Sequence, residues 1–437
     1  MHVRRTLLCA SLASATAAGC FSSSEPPGAT ATDASPGAAP EGGEPADATS
    51  GSEGGTAPDA TVGVDAGAQG EAGGGPDASS SVDSGCAGDG GPGTFSCTGS
   101  LTTPRGAPGG AVLADGKVLV AGGWNNTSQT LSSAELYDPA SGTFTTTGAM
   151  TAEHLWAGWA SPWPVLADGK VLAAGGLSAA GALLATAELY DPAAGTFSAT
   201  GGLVTAVVAF NAMALQGGKV LLVGGYDAVT GAAPTPAFSY TGGTNQAQRY
   251  DPASGMFSSA GTLAEARLFG CNVPLPSGKV LAVGGWQGVP TAAESNIEQY
   301  DPTMNSWSTV GALGSGVTCN ANAFLLPNGS VLLDTSNLLD PGALTTTPTT
   351  NALAIANATF VQLANGDVLA FGGKESNVLT VDVQVYRNAT GLWTAVGPLH
   401  QPRQGSRGFL LRSGEVLVVG GSDPSGTALA AAEIYHP

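Results

Sequence analysis

The chain has 437 residues, 14 basic side chains against 33 acidic ones, a formal net charge of −19 and 66 glycines. That acid excess leaves no basic patch to neutralise phosphates, which excludes nucleic-acid binding as a principal role. No nucleotide-binding loop, zinc spacing, EF-hand or nucleophile elbow occurs, so no catalytic residue, metal site or cofactor is read from motifs.

Residues 1–20 read as an export signal: Arg4 and Arg5, then the apolar run TLLCASLASATAA, then AAGC ending at Cys20. The run is too short to span a membrane as a stable helix. Its end resembles a bacterial lipobox, which implies that Cys20 carries lipid and holds the protein to the cell envelope. Ala17 stands where that pattern has leucine, and cleavage after Ala15–Ala17, releasing a soluble secreted protein, is the alternative.

Residues 21–92 are Gly, Ala, Ser, Thr and Pro with twelve acids, Glu25 to Asp89, and no Lys or Arg. Such a stretch buries too little apolar surface to offset its ordering entropy, so a disordered tether is expected. As a coil it would span roughly 45 to 50 Å.

From Gly93 to Pro437 one pattern recurs about every fifty residues. Two apolar, β-rich runs are split by a turn pair, Asp115-Gly116, Asp168-Gly169, Gly217-Gly218, Ser277-Gly278, Asn328-Gly329, Asn365-Gly366 and Ser413-Gly414. These pairs suit a type I′ hairpin. The second run ends in a glycine pair, as at Gly122-Gly123, except in the fifth copy, which has Thr335-Ser336. A third strand ends in Tyr137-Asp138-Pro139 and its equivalents, and a fourth carries Phe144, Phe197, Phe257, Trp307, Leu344 or Trp393. The seventh copy stops at Pro437 before its fourth strand, and GTFSCTGSL from Gly93, with Phe95 in the anchor place, supplies it.

This four-stranded unit resembles the Kelch repeat. The resemblance implies an all-β, seven-bladed Kelch-type β-propeller whose last blade is closed by the N-terminal strand, with six blades as the alternative. A glycine pair in every unit closes a strand rather than opening a helix, and so is structural rather than a phosphate cradle.

With Cys9 removed and Cys20 lipidated, Cys86, Cys97, Cys271 and Cys319 remain, in a compartment that permits disulfides. Cys86 and Cys97 flank the closing strand, and Cys271 and Cys319 fall in the inner strands of blades four and five. Bridges and buried thiols both stay open. Lys117, Lys170, Lys219 and Lys279 follow hairpin glycines as turn residues. Arg105, Arg267 and Arg403 share one repeat position, which suits a structural role, with an acidic ligand as the alternative.

In Kelch propellers the connections between second and third strands, and between blades, usually form the binding face. The resemblance places there Trp124, Trp156, Trp159, Tyr226, Tyr240 and Trp286, aromatic groups suited to a protein or glycan ligand. Trp163 lies in the same segment as Trp156 and Trp159. The expected protein is a monomeric, surface-tethered, non-catalytic scaffold. The alternatives are a structural envelope protein without a discrete ligand and a copper radical oxidase similar to galactose oxidase. Those oxidases need two histidines, two tyrosines and a cysteine. Here His154 and His400 precede the inner strands of blades two and seven, His436 replaces a motif aspartate, and only Tyr226 and Tyr240 lie outside the repeat motif.

Overall fold

A computed structural model describes residues 90–437 apart from 127–129, 156, 158–161, 231–238, 287–292, 315–316, 318–322, 334 and 353–354, with only the backbone at 230 and 239–241. The signal and Cys20, the tether up to residue 89, Cys86, Cys319, Trp156, Trp159 and the Tyr240 side chain therefore lie outside the described residues. Among those described there is no helix, and none long and apolar enough to cross a membrane.

Seven antiparallel sheets follow one another as blades. Blade one runs Gly109–Val112, Val118–Ala121, Ala134–Asp138 and Thr143–Thr147. Blades three to six repeat that order, starting at Asn211, Cys271, Ala323 and Thr359. In blade seven, Arg407–Leu410, Val416–Val419 and Ala432–His436 are completed by Thr94–Cys97. Blade two has three strands, Val171–Ala174, Ala187–Asp191 and Thr196–Ala199. Its inner strand is reduced to a Val165–Val171 bridge, because Pro162 and Pro164 remove the amide donors a ladder needs.

The cores lie between blades. One apolar cluster joins blades one, two and three, and others join three to four, four to five, five to six, six to seven and seven to one. First strands of neighbouring blades touch, so the inner strands converge on a common axis. The ring is a seven-bladed β-propeller.

The hairpin turns differ from the expected type I′. In blade one the Leu113 amide donates to the Lys117 carbonyl and the Gly116 amide to the Leu113 carbonyl, with a positive φ at Gly116 and not at Asp115. This is a three-residue loop, a type I turn finished by a left-handed glycine, and its bonds recur in all seven blades. Four hairpin lysines also reach the motif aspartates across the strands: Lys117–Asp138, Lys170–Asp191, Lys219–Asp251 and Lys279–Asp301, at 3.6, 3.9, 2.7 and 3.1 Å. Blade six reverses the polarity with Asp367–Arg387 at 3.1 Å, and in blade seven Glu415 stands 2.8 Å from His436.

Closure uses the same contacts as the rest of the ring. Thr94, Phe95, Ser96 and Cys97 pair with His436, Tyr435, Ile434 and Glu433. Phe95 stacks on Tyr435 at 5.1 Å, as Phe144 does on Tyr137 at 4.9 Å. The closing strand thus starts at the hairpin end of the blade, beside His436, and runs towards the glycine-pair end. Cys97 and Cys271 are each engaged in a disulfide, which decides against buried free thiols at these two positions.

Candidate binding face and the clamps beneath it

At the glycine-pair end the second glycine of one blade donates its amide to the next blade. Gly176 bonds the Val207 carbonyl, Gly225 that of Arg267, Gly285 that of Val317, Gly373 that of Arg403, and Gly421 that of Arg105. The first glycine is needed for closeness as well as for its positive φ: a Cβ on Gly175 would lie 2.7 Å from the Val207 oxygen. The pair is therefore a joint between blades, consistent with the structural reading of the sequence.

At three of these five joints the residue whose carbonyl takes that bond, an arginine, also carries a clamp. Arg105 donates to Glu135 Oε1 through Nε and Nη2 at 3.3 and 3.0 Å, and to the Gly122 carbonyl through Nη1 at 3.1 Å. Arg267 reaches Glu298 through Nη2 and the Gly284 carbonyl through Nη1, each at 3.0 Å, and Arg403 uses the same two nitrogens on Glu433 and Gly420. The glutamates also accept backbone amides, such as Thr102 on Glu135 and Ala264 on Glu298, both at 2.7 Å. All six side chains are buried. Burial pulls the Arg105 and Arg403 guanidinium groups below their ordinary value, and the facing glutamates oppose it.

Blade two puts His154 in the arginine place. Its Nδ1 lies 2.7 Å from the Gly175 carbonyl and its Nε2 3.2 Å from Glu188 Oε1. Burial pushes the Glu188 carboxyl up, but hydrogen bonds from His154, Thr151 and Ala152 outweigh it and hold the group at about 2. In blades three, five and six, the cation place holds Val207, Val317 and Ile355, and the glutamate place holds Gln248, Asn337 and Gln384. Gln248 closes the gap with neutral bonds to the Thr205 amide and carbonyl, 3.1 and 2.8 Å. In the clamp place a buried arginine or histidine is present where a buried carboxylate faces it and absent where none does, as desolvation demands.

His400 sits in another blade, with Nδ1 3.0 Å from Glu433 Oε2. His154 and His400 are thus each held by their own glutamate. Among the described residues no three His, Cys, Asp or Glu side chains are grouped to hold a metal.

The residues following the glycine pairs form the face itself. Trp124, Leu177, Tyr226 and Trp286 bridge to Gly106, Leu155, Val208 and Leu268 in blades one to four. Leu155, Leu177, Val208, Ala209, Tyr226 and Leu268 make one apolar cluster, with half-buried Trp124, Phe269 and Trp286 packed against it. Three aromatics expected at the site therefore come together. Burial pushes the Tyr226 phenol up to about 12. The Tyr240 backbone pairs with Val229 in a hairpin rising from the same connection as Tyr226. Trp163 departs from the face: it is buried in the blade core, donating Nε1 to the Ala157 carbonyl at 2.8 Å. Lys374 and Ser422, both buried, take the equivalent places in blades six and seven. Phe269 was not visible as a site residue in sequence; its position two after the clamp arginine, shared with Ala107 and Ala209, is the signal that marks it, and all three have positive φ.

The family model of the Kelch motif matches residues 105–151 and 267–314, which supports a Kelch-repeat family and a propeller of binding-scaffold type. No curated protein matches the chain. Among solved structures, a fungal alcohol oxidase of the AA5 family in complex with copper is similar over 79% of this chain and 76% of its own, at 15% identity and a TM-score of 0.48. At that level nothing of its copper or chemistry transfers.

Proposed function

We propose that the propeller is a binding scaffold that holds a protein or glycan ligand on its glycine-pair face, without chemistry at that face, and that the acidic tether and a lipidated Cys20 hold it to the cell envelope. The observation that carries this reading is the gathering of Trp124, Tyr226 and Trp286 from three blades into one apolar cluster, half-buried at its tryptophans. Aromatic rings fixed by packing offer large contact area at small entropic cost. The frame beneath them is rigid, since glycine joints and buried clamps tie the blades.

Glycan- and peptide-array binding, run with metal analysis on the same preparation, tests it. Binding that drops at least about tenfold in Trp124→Ala and Trp286→Ala supports the reading, that being the ordinary weight of an aromatic hot spot. Binding indifferent to both substitutions, or stoichiometric copper, overturns it.

A further inference from the structure

At the ring-closing seam, side chains from three stretches of chain form one hydrogen-bonded line. Ser96 Oγ lies 2.8 Å from His436 Nε2, and His436 Nδ1 lies 2.8 Å from Glu415 Oε1. Register produces this. Glu415 immediately precedes Val416, which pairs with Tyr435, so it stands across from His436. Ser96 pairs with Ile434, two residues from His436 and on the same face of the sheet. Ser413 Oγ donates to Glu415 Oε2 at 2.8 Å and fixes the carboxylate from its far side. Thr98, next along that face, is 2.7 Å from the Tyr137 hydroxyl of blade one.

The hairpin-to-motif pairing of the other blades accounts for the Glu415–His436 contact. It does not account for a serine hydroxyl on the other ring nitrogen, an arrangement that the Lys–Asp pairs of blades one to four cannot make. The histidine and glutamate side chains are 23% and 36% exposed and Ser96 is half-buried, so a substrate can reach all three.

We propose that Ser96, His436 and Glu415 form a hydrolytic site for unhindered acyl esters, at the end of the ring opposite the binding face. Ser96 Oγ attacks the ester carbonyl carbon while His436 Nε2 takes its proton. The bond to the alkoxide then breaks as that proton passes to the leaving oxygen. Water cleaves the acyl-serine in the same manner, giving a carboxylic acid and an alcohol and returning the proton to Ser96, with no redox partner needed. Glu415 is the positioning residue, orienting the imidazole through Nδ1. An ester is the class indicated, because alkoxides leave more readily than amide nitrogen and this edge-strand site lies open to solvent.

The test is a fluorophosphonate probe and 4-nitrophenyl acetate on the full chain, with the adduct mapped by mass spectrometry. The expected result is an adduct on Ser96 of the native protein and none after denaturation. Labelling and hydrolysis should fall at least about 100-fold in Ser96→Ala and His436→Gln. Glu415→Gln should slow labelling and move the pH midpoint of its rate, with Glu415→Asp restoring both in part. No adduct, an adduct elsewhere, or hydrolysis by Ser96→Ala at the unaltered rate overturns the proposal, and mapping on the native chain decides it even where a variant fails to fold.

Discussion

Converting the blade-four clamp into the neutral version that blade three already uses should cost far less than removing either charge alone. In Glu298→Gln the Arg267 guanidinium keeps its bonds to the Gly284 and Asn296 carbonyls, at 3.0 and 2.8 Å, but loses the buried charge of Glu298. In Arg267→Val, Glu298 keeps the Ala264 amide at 2.7 Å and loses its cation. Both groups are about 2% exposed or less, so water cannot replace the missing partner. Stranding one member of a buried pair costs about 3 to 5 kcal/mol, whereas exchanging the whole pair for packed neutral groups is often close to neutral. The double variant Arg267→Val with Glu298→Gln reproduces Val207 and Gln248, a combination this ring tolerates. The single variants should therefore melt on the order of 5 °C lower, and the double should recover most of that loss. Urea unfolding of all four proteins closes the cycle, with an expected coupling of about 2 kcal/mol or more. A double variant no more stable than the weaker single would refute the reasoning, showing that arginine packing and not charge balance sets the cost.

Acid should attack blade two at a definite place. The Glu188 carboxyl is depressed in the folded state to about 2, so its contribution is complete above the ordinary glutamate value near 4.5 and is lost as pH falls towards 2. His154→Gln weakens the bonds that hold it down, and acid titration followed by tryptophan fluorescence should show unfolding begin at higher pH. Gly175→Ala places a Cβ 2.7 Å from the Val207 oxygen at a φ of +62°, and should lose about 1 to 3 kcal/mol by chemical denaturation. Lys219→Ala breaks the 2.7 Å pair with Asp251, yet both side chains are about a third exposed and screened by solvent, and the same measurement should show the unfolding midpoint almost unmoved.

What the sequence disclosed followed from period. Glycines at all seven hairpins, tyrosines before the turn in six copies and Phe95 standing in for a missing anchor are local signals, and repetition made them readable. Blade two's inner strand failed because Pro162 and Pro164 act on that copy alone. The hairpin type was misread because a glycine after a polar residue suits both classes of turn, and only the bond from Leu113 to Lys117 separates them. The clamps stayed half-seen: Arg105, Arg267 and Arg403 stood out, but Glu135 lies thirty residues on, inside a motif its tyrosine dominates. Of the site, Trp124, Tyr226 and Trp286 were legible as aromatics following a glycine pair. Their union with Leu177 and Phe269 was not, because it depends on how four blades lean together.

The seam has a mechanical meaning as well. Gly93 donates to the His436 carbonyl at 2.6 Å, the outermost rung of the closing ladder, and both strands leave that rung from the same edge of the ring. A pull between Gly93 and His436 would load the rungs singly, in zipper fashion, instead of stressing all four together in shear. The first barrier inward is then the Phe95–Tyr435 stack, so the force that opens the ring is set by one aromatic contact and a few hydrogen bonds, well below what the interblade cores could bear. A load carried through the N-terminal segment alone, against an object held at the far face, meets the closing strand lengthwise and is shared by every rung.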